Sequence, residues 1–215
     1  MGSLSKKILW SFAAAIILTG CATSRSVLDV QLPTGQASPA NGKQVYINSV
    51  TDKRAFQIKP PTPDIPSLDP SEDQNDSIKS RAVGRKRNGY GKAMGDMLVK
   101  EGDTVQSLTY KSIREAFIEK GYNVVSNKDQ ITKDTYIVDA SIDKFWAWMN
   151  PGFWSITLSS EISTDLMIQS DKGATPQKVS VKASDGYQVA TDGNWAEIIQ
   201  RSLKLYIEEL KSKLN

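Results

Sequence analysis

The chain has 215 residues, 39% of them apolar and 24% charged, enough for one domain of ordinary size with a real core. Its formal charge of +3 falls to about +1 without Lys6 and Lys7, so there is no global field for nucleic acid, and that partner is not expected. One cysteine and no histidine exclude an internal disulfide, a Cys/His metal site and catalysis by a Ser-His or Cys-His pair.

Lys6 and Lys7 precede a mostly apolar run from Ile8 to Leu18. A permanent membrane helix needs about twenty apolar residues, whereas this run has the length of a signal-peptide hydrophobic region. It ends in Leu18-Thr19-Gly20-Cys21, which resembles the lipobox of bacterial lipoproteins. That resemblance implies cleavage between Gly20 and Cys21, with residues 1–20 leaving as a signal peptide. It also implies a diacylglyceryl group and an N-acyl chain such as palmitate on Cys21, and no other cofactor is expected. One acyl chain holds a protein to a bilayer only marginally, whereas two or three anchor it stably. Ala22, where such lipoproteins destined for the inner membrane carry Asp, implies the periplasmic face of the outer membrane.

Residues 21–43 are rich in Ser, Gly, Gln, Pro and Asn and read as a flexible tether. Val45, Tyr46, Ile47 and Val50 suggest a first strand ending at Thr51-Asp52. An insertion follows at about 54–95, with Pro60, Pro61, Pro63, Pro66 and Pro70, an acidic run and then a basic one. Ordering a backbone costs about 1–2 kcal/mol per residue, so the span from Pro60 to Arg87 is expected to be mobile and dispensable. Asp103 is placed to cap a helix bearing Val105, Leu108, Ile113, Ala116 and Phe117, which Gly121 stops. Tyr122, Val124 and Val125 begin a short strand.

Strict alternation then marks three strands: Tyr136 to Ile142, Trp154 to Ile168 and, after the turn Asp171-Lys172-Gly173, Val179 to Ala183. Asn194 with Glu197 reads as the capping box of a last helix, whose stripe runs from Trp195 through Leu203 to Leu214. The expected fold is an α+β two-layer sandwich. It has a mainly antiparallel sheet of four to five strands, two helices on one face, and a single domain over 44–215.

Several features together are similar to the YajG-like family of small periplasmic lipoproteins: the lipobox, the strand Val45-Tyr46-Ile47-Asn48, the segment from Glu119 to Val125 and the long alternating strand. The layout also looks like the auxiliary lipoproteins of lipid-transporting ABC systems. The first likeness implies a non-enzymatic, lipid-anchored binding or assembly module with a protein partner in the envelope, the second an accessory subunit of a lipid-transporting ABC or other envelope transport system, and neither supplies catalytic residues.

Among candidate sites, Gly89, Gly91 and Gly95 fit no phosphate-loop spacing. Arg85, Lys86 and Arg87 suggest either contact with anionic headgroups or a solvated charge run balanced by the acidic one before it. Phe145, Trp146, Trp148, Phe153 and Trp154 surround the turn Asn150-Pro151-Gly152. They read either as a hairpin folded against the helices, with Trp146, Trp148 and Trp154 inward, or as an aromatic patch for a partner or a membrane interface. Asp139, Asp143, Glu161 and Asp165 fall on the polar phase of their strands, without a glycosidase spacing. No catalytic residue and no metal ligand is expected.

Overall fold

The computed structural model describes residues 25–214, so the expected signal peptide, with Gly20 and Cys21, lies outside the described residues. The elements are β1 (Ser26–Leu28), β2 (Gln44–Asp52), α1 (Asp76–Arg81), β3 (Ala82–Arg87), β4 (Ala93–Val99), α2 (Val105–Glu119), β5 (Asn123–Val125), β6 (Tyr136–Pro151), β7 (Ile156–Ser170), β8 (Gly173–Tyr187) and α3 (Asp192–Lys213). The class is α+β, with three helices and one sheet of eight strands among the described residues.

The sheet is mixed, not mainly antiparallel, and larger than the pattern of alternation suggests. Strands β6, β7 and β8 form the expected meander, closed by the two-residue loop Asp171-Lys172 before Gly173 at φ +117°. The other edge of β6 is shared. Its first half pairs in parallel with β2, from Val45 opposite Tyr136 to Asp52 opposite Ile142, and further along β3 joins in parallel at Gly84 opposite Ala147. Strand β5 extends the sheet beyond β2, and β4 and β1 extend it beyond β3. Parallel partners come from distant parts of the chain, so no local turn announces them.

The shared edge leaves a gap where β2 stops and β3 has not begun, and Arg54 fills it. Its Nη1 donates to the carbonyls of Ala82 (2.6 Å) and Phe145 (3.1 Å), and its Nη2 to that of Lys79 (2.7 Å). Asp52 accepts from Nε and Nη2 at 2.9 and 2.8 Å. The Arg54 side chain is fully buried.

Both α2 and α3 cover one sheet face. Thr104 rather than Asp103 caps α2, exchanging bonds with Ser107; Asp103 accepts instead from Lys111. Thr191 rather than Asn194 caps α3, with Asn194 as the reciprocal partner. Leu203, Ile199 and Leu210 of α3 are fully buried, and the buried Tyr206 hydroxyl meets Thr164 of β7 at 2.8 Å. That burial pushes the phenol well above its usual pKa.

The opposite face carries a second, smaller core, and this corrects the reading of residues 54–95. Leu68, Ala82, Leu98, Trp146 and Trp148 cluster there, with Phe56 and Ile78 packed against them. Trp146 donates its indole N–H to the Pro63 carbonyl at 3.1 Å and meets Phe56 edge to face at 6.0 Å. The Pro-rich span is thus a structural layer, and the basic run is strand β3. Polar composition concealed both, because a few apolar residues spaced along it suffice to cover two tryptophans.

The residues ahead of β2 are not a tether from Arg25 onward. Strand β1 pairs with β4, Leu28 and Val30 enter the main core, and Asn41 donates to the Gly121 carbonyl at 2.9 Å. At Gly121, with φ +86°, a Cβ would lie 2.3 Å from the Pro39 carbonyl oxygen, so glycine both ends α2 and admits this segment.

Two stability predictions follow from this packing. Arg54→Met should cost about 3–5 kcal/mol, because the buried Ala82 and Phe145 carbonyls lose their donor and Asp52 its ion pair, and Arg54→Lys should recover only part. Leu203→Ala should cost about 2–5 kcal/mol, whereas Lys204→Ala, on the exposed face, should leave the urea midpoint where it is.

Candidate functional site

Strand β6 sends successive side chains to opposite faces, but it contains a bulge. Ile142 pairs with Thr164 and Lys144 with Ser163, leaving Asp143 as an extra residue. Parity therefore inverts past Asp143. Before it, Val138, Ala140 and Ile142 face the helices; after it, Phe145 and Ala147 do, while Trp146 and Trp148 pack on the far side. The inward placement expected for Trp146 and Trp148 is wrong for this reason. The ammonium groups of Lys144 and Lys182 lie 5.4 and 5.0 Å from the Trp148 ring centroid.

The outer face has three distinct zones. Past the bulge it is closed by the Pro-rich layer. Before the bulge it lies open as a groove of about 570 Å³ lined by Ser49, Thr51, Lys53, Asp139, Asp165, Met167, Pro176 and Lys178, among others. Asp139 accepts from Ser49 and, at 2.7 Å, from Asn48, while Lys178 reaches Asp165 and Asp143 at 3.3 and 3.5 Å. Glu161 pairs with Lys144 at 2.9 Å. Each of these carboxylates is thus paired with a polar neighbour on the surface. Among the described residues no cluster of three acidic groups is placed to hold a metal ion.

The third zone is the end of the sheet where β3 and β6 stop. The turn after β6 is closed by Gly152 donating to Ser155 at 2.9 Å, and it holds Phe153 and Trp154 outward, 89% and 83% exposed. These two rings touch only edge to face, with centroids 4.7 Å apart. The turn after β3 presents Tyr90, 98% exposed, where Asn88 Oδ1 accepts from the Tyr90 and Lys92 amides at 3.0 and 2.9 Å. Pro60 to Pro63, Arg87 to Gly89 and Met149 to Pro151 line one cleft of about 220 Å³, which places both turns at one end. Of the five aromatic candidates, then, Phe153 and Trp154 are on the surface, and Phe145, Trp146 and Trp148 are buried.

The basic triplet is not a free patch. Arg85 lies opposite Asp96 of β4, with Nε 3.3 Å from Oδ1, and Arg25 reaches the other oxygen of Asp96 at 3.4 Å and also Glu72. Lys86 donates to Ser26 at 2.7 Å and pairs with Asp192 at 3.5 Å. Arg87 donates to Ser67 and to the Gly91 carbonyl. These contacts lock β1, β3, β4 and the start of α3 together. They argue against Arg85 and Lys86 as headgroup contacts, because their charges are already compensated inside the fold.

Asp96, Arg54 and Tyr90 escaped sequence reasoning. A lone carboxylate within Ala93-Met94-Gly95-Asp96-Met97-Leu98-Val99, beside a basic strand, was the available sign of a buried pair. Asn88-Gly89 between two runs was the available sign of a hairpin.

No protein-family model matches the chain, and no curated protein matches it. Among solved structures, an uncharacterized protein aligns over 89% of this chain and 99% of its own, at 8% identity and a TM-score of 0.48. A Xanthomonas campestris protein of the DUF330 family aligns over 88% and 93%, at 15% identity and 0.45. A hypothetical protein from Chlamydia trachomatis aligns over 79% and 96%, at 9% identity and 0.33. At these identities and scores the likenesses carry no function to this chain.

Burial pushes the Asp96 carboxyl above its ordinary pKa of 3.8, against the pull of Arg85 and Arg25. The folded state therefore keeps this proton to higher pH than the unfolded chain does. Stability from this group is complete below 3.8 and is lost as pH rises through the elevated value. Asp96→Asn, which mimics the protonated carboxyl, should flatten that part of the stability profile in urea titrations between acid and neutral pH.

Proposed function

We propose that this chain is a lipid-anchored lipoprotein of the bacterial envelope that acts by binding, not by catalysis. The observation that carries this reading is Cys21: the sole cysteine of the chain stands at the end of a signal-like leader, after Leu18-Thr19-Gly20. Covalent diacylglyceryl and N-acyl groups on Cys21 would hold the domain to the membrane without a spanning helix. Among the described residues no helix is long and apolar enough to cross a membrane. Ala22 supports the periplasmic face of the outer membrane, and the order of elements from Val45 onward supports kinship with YajG-like lipoproteins.

The open groove suits a partner polypeptide of the envelope. Its walls alternate charge with apolar side chains, Lys53, Asp165 and Lys178 beside Met167 and Pro176, and Met167 is 38% exposed. A segment lying there would meet both signs of charge and two apolar contacts, a mixture typical of a non-obligate protein interface.

Cys21→Ser should abolish lipidation and leave an uncleaved or mislocalised precursor. Metabolic labelling with a fatty-acid analogue, followed by membrane fractionation, measures this. Continued labelling of the variant would remove the lipoprotein reading.

A further inference from the structure

The two ends of the sheet differ in character. At one end the connections are Ser126 to Asp134 and Asp171-Lys172, which are almost wholly polar and exposed. At the other end Tyr90, Phe153, Trp154 and Val189 project into solvent, Val189 being 66% exposed in the loop that follows β8. Strand β8 ends at Tyr187 opposite Ile156, so this loop emerges beside the Phe153-Trp154 turn. The acids at this end are engaged, Asp185 with Arg201 and Asp192 with Lys86, while Lys92 stands exposed beside Tyr90.

The chain also enters the fold from this end. Strand β1 runs parallel to β4, with Ser26 opposite Met97 and Leu28 opposite Val99, so the residue before Ser26 lies toward the start of β4. Arg25 is held there by Asp96, three residues along β4 from Ala93 and so roughly 10 Å from the Tyr90 turn. Cys21 is four residues before Arg25, a covalent reach of at most about 14 Å. A lipid on Cys21 would therefore sit close to this end of the domain and far from the polar one.

We propose that the end bearing Tyr90, Phe153, Trp154 and Val189 docks onto the phospholipid surface that holds the Cys21 lipid. This rests on the lipid-anchor reading given above. Tryptophan and tyrosine favour the headgroup boundary, where an apolar ring meets hydrocarbon and its N–H or O–H meets water. Two short hairpin turns with internal hydrogen bonds present these rings in a fixed arrangement, so insertion orders little that is not already ordered. Docked in this way the domain stands on its aromatic end, with the open groove on its flank, accessible to a partner.

Brominated lipids test this directly, because bromine on acyl chains quenches a tryptophan that reaches them. The full chain is purified from membranes, acylation of Cys21 is read by mass spectrometry, and the protein is reconstituted into phosphatidylethanolamine and phosphatidylglycerol vesicles with and without bromine. Trp146, Trp148 and Trp195 are buried, and comparison with Trp154→Ala removes any signal from Trp10. The expected result is a loss of emission in brominated vesicles for the acylated wild type that is absent in Trp154→Ala. Equal quenching in the two acylated proteins overturns the proposal. So does an unquenched protein that forms a dimer lost in Trp154→Ala, since the rings then meet a second copy. If Cys21 proves unacylated, the anchor reading fails alone: Trp154-dependent quenching on mixing with vesicles would still uphold docking, and its absence would overturn that too.

Discussion

One guanidinium closes the weak point of this sheet. Two strands arrive at the same edge of β6, one after the other, and between them the Phe145 carbonyl would face a dry interior without a donor. Arg54 supplies that donor and simultaneously ties Ala82 and Lys79, on the chain entering β3, to Asp52 at the end of β2. A buried backbone acceptor left unpaired costs about 1–3 kcal/mol, and here the Ala82 and Phe145 carbonyls depend on one side chain. Arginine suits the position because its planar fork places several donors in fixed directions, and its face also covers Phe56, 5.2 Å from the ring centroid. Through Phe56 the same residue supports the second core around Trp146. The split sheet and the layer that covers its outer face thus share a single joint.

The sequence displayed the parts of this fold that follow local periodicity. The β6–β8 meander, the turn at Asp171-Lys172 and the apolar stripe of α3 can be seen because each depends on residues near one another in the chain. What escaped depends on distance or on a change of phase. The bulge at Asp143 has no residue signature, yet it sends Trp146 and Trp148 to the opposite face, and a count of alternation carried across it goes wrong. The parallel pairings of β2, β3 and β1 join segments tens of residues apart, with no turn to betray them. The Pro-rich span looked too polar to pack, although it needs only Leu68, Phe56 and Ile78 to close over two indoles.

The candidate surfaces were legible to a similar extent. The aromatic segment stood out as unusual, and Phe153 and Trp154 do reach the surface, but the turn residues that hold them there act through backbone geometry. The basic triplet misled, because charge in a sequence says nothing about which carboxylate will face it; Asp96 is brought to Arg85 by strand register alone. Tyr90 gained its exposure from a hairpin whose second strand, β4, is itself too apolar and too short to be distinguished from a piece of helix.

The long parallel crossovers also impose an order of assembly. Ser26 waits for Met97, and Val45 waits for Tyr136, so the segments made first find their partners last. The contiguous stretch from β6 through α3 holds two of the three pairings between consecutive strands, and β3 with β4 is the third, so these local contacts can form before the long-range ones. During synthesis β2 must therefore remain unpaired until β5 and β6 exist. Strands β2 and β3 then add to the edge of β6 already built. The interval in which β6 shows its bare edge, with Arg54 not yet seated, is the period when another chain could take that place, so fast closure of this edge matters as much to the protein as the stability of the finished sheet.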